Sequence, residues 1–72
     1  MAREAIIRQV NRYDLHGVAY YRLVVSYSDE PDSVQEVRIS HDSIYGEPAD
    51  GDRILVEAIL NVVTEVRKKT SE

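Results

Sequence analysis

The chain has 72 residues, 43% of them hydrophobic and 31% charged, with no cysteine and a formal net charge of -4. A chain of this length makes a single domain, residues 1–72, and hides only about 60% of the surface its unfolded form exposes, so there is little room for a buried active site. The composition excludes a disordered tract, a disulfide framework and a thiolate zinc site, and the acidity argues against a domain devoted to neutralising phosphates.

Taken in chain order, residues 3 to 13 carry the β-branched Ile6, Ile7 and Val10 and then meet Asp14-Leu-His-Gly17. This predicts a strand followed by a hairpin loop. From Val18 to Ser28 an apolar set, Ala19, Tyr21, Leu23, Val25 and Tyr27, alternates with a more polar one, predicting a long half-buried strand with Tyr21 and Tyr27 in the core. A turn around Pro31 leads to a shorter strand over Val34 to Ser40, with Val37 and Ile39 on one face. Two tight connections imply an antiparallel meander. The stretch from Ser40 to Asp52 holds Gly46, Pro48 and Gly51, which forbid one regular element across it. Ile44 and Tyr45 are expected to pack down there as a single helical turn.

The last segment, Asp50 to Lys69, fits two structures. At 3.6 residues per turn, Ile54, Leu55, Ala58, Ile59, Val62, Val63 and Val66 form one apolar face; at period two, Ile54, Val56, Ala58, Leu60, Val62, Thr64 and Val66 do. Seven β-branched residues between Ile54 and Val66 favour strands, because such side chains lose rotamer freedom in a helix. No capping box supports a helix start. A hairpin would have to bend near Ile59 to Asn61. Both patterns bury Ile54, Ala58, Val62 and Val66.

Pro48 to Glu57, PADGDRILVE, resembles the strand opening of small β-barrels of the SH3-like and OB-like kinds, where a Gly-Asp turn launches an inward-facing strand. The resemblance implies an all-β fold, a small five-stranded antiparallel barrel. The alternative is α+β, a three-stranded antiparallel meander with one C-terminal helix over residues 52–69.

Little in the chain points to catalysis. His16 and His41 are each near an Asp but have no recognised ligand spacing, so no metal site is expected. The serines lack a nucleophile elbow and the three glycines are too dispersed for a phosphate loop, so neither an enzyme nor a cofactor is expected. No apolar run approaches the roughly 18 residues of a membrane span, and the absence of cysteine favours the cytoplasm.

The five tyrosines, in a chain without Phe or Trp, are more informative. Tyr20 falls opposite the core face beside Arg22, and exposed Tyr with Arg is the composition of binding hot spots. The expected function is therefore a protein-binding module or regulatory adaptor with an unknown protein partner. Its grip would come from Tyr20, Arg22 and Tyr45 or from an uncovered strand edge. The alternative is an OB-like single-stranded nucleic-acid binder. There Arg8, Arg12, Arg22 and Arg38 share an outward face and track the backbone, while Tyr13 or Tyr20 stacks on bases. A further alternative is a homo-oligomeric structural protein formed by edge-strand pairing.

Overall fold

The computed structural model describes residues 2–69, so Met1 and residues 70–72 of the expected domain lie outside the described residues. Five strands follow one another: β1 (Ala2–Leu15), β2 (Val18–Tyr27), β3 (Gln35–Ser40), β4 (Arg53–Ile59) and β5 (Val62–Lys68), with one 3-10 turn at His41–Ser43 between β3 and β4. They form a single antiparallel sheet in the order β3-β2-β1-β4-β5. The domain is all-β, and no helix among the described residues is long and apolar enough to cross a membrane.

The length of β1 explains the order. Its first half serves two neighbours at once, pairing with β2 (Ala5 opposite Tyr27) and with β4 (Ala5 opposite Ile54). Its second half pairs with β2 alone. The switch falls at Arg8, an extra residue between the Ile7–Val25 and Gln9–Val24 pairs, and such a bulge bends a strand and increases its twist. Two backbone bonds from Ile7 hold the β3–β4 connection at this bend: the Gly51 N–H donates to Ile7 O at 2.7 Å, and the Ile7 N–H to Asp52 O at 2.9 Å.

The inner faces enclose one core of Ala5, Ile7, Leu23, Val25, Tyr27, Val37, Ile39, Ile54, Val56 and Val66, with Val10, Tyr21, Ile44, Tyr45 and Val63 packed against it. The sheet curls but does not close. β3 and β5 are its two edges, and among the described residues the one contact of ladder type between those sides is a parallel bridge from Ile44 to Val66.

The C-terminal segment is a hairpin, which removes the helix over 52–69. The burial expected there needs correcting, because Ile54 and Val66 are buried and Ala58 is half-buried, but Val62 is exposed. Glu57 faces Glu65 while Ala58 faces Val63, so Thr64 is an extra residue and the inward series passes from Val66 to Val63. The helical turn expected at Ile44 and Tyr45 forms earlier, at His41–Ser43, which frees Ile44 for its bridge to β5.

Candidate interaction site

Side chains directly opposite on neighbouring strands share a face, so the register defines the outer surface of β1, β2 and β3 row by row. Tyr13 faces Tyr20, which faces Ser40; Asn11 faces Arg22, which faces Arg38; Gln9 faces Val24, which faces Glu36. The loop after β2 covers the far end of this surface, where the buried Ser26 hydroxyl donates to Pro31 O at 3.1 Å. The three rows themselves are half-buried or exposed.

The Tyr13 and Tyr20 rings lie nearly parallel, at 17°, with centroids 5.6 Å apart. Such a pair contributes roughly 0.5–1.5 kcal/mol beyond its buried area and fixes both rings on the sheet. In the next rows Arg22 Nε and Arg38 Nε donate to the two carboxylate oxygens of Glu36, the Arg38 bond being 3.1 Å long. The Arg22 hydrogen bond, with smaller help from the Arg38 charge, holds the Glu36 carboxyl below its usual range. Two guanidiniums thus share one carboxylate. The arrangement restrains three long side chains and leaves one positive charge uncompensated on these rows.

The six expected site residues do not form one constellation. Tyr20, Arg22 and Arg38 stand together on this outer face. Arg8, expected to share it, is the exposed bulge residue. Arg12 is also displaced from it. Beyond the bulge the phase reverses, so Arg12 faces Tyr21 on the core side and lines a mouth of about 450 Å³ with Tyr21, His41 and Tyr45.

Tyr45 acts within the fold. Its hydroxyl donates to Asp52 Oδ2 at 2.6 Å, and the Ala49 N–H donates to the same oxygen at 3.1 Å, clamping the β3–β4 connection. Burial first, and then the Asp52 carboxylate, push the Tyr45 hydroxyl up; the same hydrogen bond holds Asp52 below its usual range. Tyr13, named above only for the nucleic-acid alternative, joins the site by stacking on Tyr20. β1 runs on to Leu15 because the loop is only His16-Gly17, and the signal was that two-residue, glycine-containing turn.

Among the described residues, no three His, Cys, Asp or Glu side chains converge as a metal site requires. No protein-family model matches the chain, and no curated protein or solved structure matches it significantly.

Proposed function

We propose that this domain is a small protein-binding module without catalytic activity, which grips its partner through the outer face of β1, β2 and β3. The observation that carries the reading is the stacked Tyr13–Tyr20 pair beside the Arg22–Glu36–Arg38 network on one accessible sheet surface. Tyrosine and arginine are the residues that most often dominate binding energy, and side chains already restrained lose less entropy when a partner arrives. Glu36 offsets one of the two guanidiniums, and with the acidity of the chain as a whole this favours a protein surface over a row of phosphates. The strand order supports the OB-like member of the two barrel resemblances, a partly open five-stranded barrel whose β2–β3 face is the usual binding surface. The cysteine-free composition supports a cytoplasmic setting.

The test is affinity capture from the source cell with the wild-type chain and Tyr20→Ala. A partner held through this face should bind the variant roughly thirtyfold more weakly, the equivalent of about 2 kcal/mol for a hot-spot residue. Equal recovery by the two chains removes the surface from consideration.

A second reading has one observation in its favour, since aromatic rings beside arginines on the β2–β3 face of an OB-like domain also suit single-stranded nucleic acid. The net charge of -4 and the carboxylate of Glu36 between the arginines oppose it. Retention on single-stranded DNA that falls steeply with salt would establish this reading, and no retention at low salt would end it.

A further inference from the structure

The second half of β1 has a neighbour on one side only. Its pairing with β4 ends at Ile6 and the bonds to Gly51 and Asp52 at Ile7, while pairing with β2 continues to Leu15. The two-residue loop makes Leu15 and Val18 a hydrogen-bonded pair, and such pairs alternate along an antiparallel ladder. Asn11 and Tyr13 therefore exchange backbone bonds with β2, whereas Arg12 and Asp14 turn their N–H and C=O groups to the open side. Among the described residues no other strand or loop takes these groups up. An edge of this kind is a template for another strand.

Arg12 and Asp14 also share the inner side-chain face, opposite Tyr21 and Ala19, and both are exposed. Arg3, Arg22, Arg38, Arg67 and Lys69 each have a carboxylate partner, but neither Arg12 nor Asp14 has an ion pair among the described residues. This row is complementary to itself. When two such edges meet antiparallel about a two-fold axis at Tyr13, Arg12 of each copy falls opposite Asp14 of the other. Opposite charges then stand directly across the junction, and both residues of each pair aim their backbone at the partner. A slip of one residue would set those outward groups against backbone already bonded to β2. A slip of two would set Arg12 against Arg12 or Asp14 against Asp14.

We propose that the protein self-associates through the free edge of β1, with Arg12 of each copy paired to Asp14 of the other in one continuous sheet. A foreign strand would have to carry a base and an acid two residues apart in this order, which the edge itself already supplies. On the outer face the two Tyr13 rings would meet across the axis and join two Tyr13–Tyr20 stacks into one row. The contact spans Asn11 to Leu15 and so falls in the class below about 1,200 Å², which makes the dimer weak and dependent on concentration. It uses the edge and stands whether or not the outer face holds a partner.

Sedimentation equilibrium of the full chain from roughly 10 µM to 1 mM tests the proposal, a range that covers weak to moderate affinities. The wild-type mass should rise from one chain toward two. Over the same range the Arg12 and Asp14 amides should gain protection from hydrogen exchange, while those of Asn11 and Tyr13 are protected throughout. Arg12→Glu and Asp14→Arg each set like charges across the junction, and each alone should raise the dissociation constant roughly tenfold or more while melting like dilute wild type. Mixed in equal amounts, the two variants again place an acid opposite every base, and the mass should rise toward two as for wild type; this separates lost complementarity from a lost fold. A wild type that remains one chain, a dimer whose Arg12 and Asp14 amides stay unprotected, either variant alone assembling like wild type, or a mixture that fails to assemble would overturn it.

Discussion

Both hairpins that close on a tight turn use two residues of positive φ: His16 and Gly17 (53° and 81°) between β1 and β2, Leu60 and Asn61 (51° and 67°) between β4 and β5. Two such residues make the type I′ geometry, whose twist matches that of paired strands. The backbones agree and the side chains do not. In the first turn a glycine takes the more positive φ, and two rows inward Tyr13 stacks on Tyr20. In the second a leucine occupies the left-handed position, and the pair below it, Ile59 and Val62, is 66% and 64% exposed against 49% and 38% for Leu15 and Val18 below the first. The second turn holds a bulky apolar residue at a backbone position that disfavours it, where the first holds residues suited to theirs.

Matched substitutions sharpen the contrast. The largest effect is expected at Leu23→Ala, which empties a fully buried site between Val10 and Val37 and should cost about 2–5 kcal/mol in urea unfolding. The same truncation at Leu60 should cost almost nothing in dilute solution, since that side chain is solvated. A loss at Leu60→Ala as large as at Leu23→Ala would mean that the second turn is packed after all.

Next come the turns themselves, where the signs should be opposite. Gly17→Ala places a Cβ at a φ of 81°, where no neighbouring atom is in the way but the conformation is strained, and should destabilise by about 1–2 kcal/mol. Leu60→Asn should be neutral or stabilising by a few tenths of a kcal/mol up to about 1 kcal/mol in thermal melts of dilute protein. Two substitutions of the same sign would dissolve the comparison.

Tyr45→Phe should cost about 1 kcal/mol by removing the bond to Asp52, and should let the Asp52 carboxyl return toward its ordinary value of 3.8 in an NMR titration. A smaller and broader effect is expected from acid. Glu4, held by Lys69, Asp29, held by Arg3, Glu36, held by Arg22, and Asp52, held by Tyr45, all have carboxyls depressed below the ordinary 3.8 to 4.5. Their stabilisation is present above those values and is lost as pH falls through the lower folded-state values, so unfolding midpoints should be flat near neutrality and decline in the acid limb. The carboxylates are at the surface, and added salt should shrink the effect.

Much of the fold could be read from the chain because its signals were local. Alternation from Ala19 to Tyr27 identified β2 and its core face, and the density of β-branched residues after Arg53 favoured strands over a helix that the periodicity allowed equally. The bulges at Arg8 and Thr64 carry no such signal. A bulge is set by how a strand bends between two neighbours, a tertiary requirement, yet each one reverses the faces of everything beyond it. That is why Arg12 left the outer face, Val63 replaced Val62 in the core, and Arg8 stood apart. Tyr20, Arg22 and Arg38 came out together because they lie on β2 and β3, which pair without irregularity. Glu36, which ties the two arginines together, could be identified only once the register was known.

The outer face of β1, β2 and β3 is the docking surface we propose. It is tested most directly by following backbone amide chemical shifts of the labelled domain during titration with a captured partner. Changes centred on Asn11, Tyr13, Tyr20, Arg22 and Arg38, with the mouth around Arg12 and Tyr45 unaltered, are predicted. Changes centred on that mouth, with the stacked tyrosines unmoved, would contradict it.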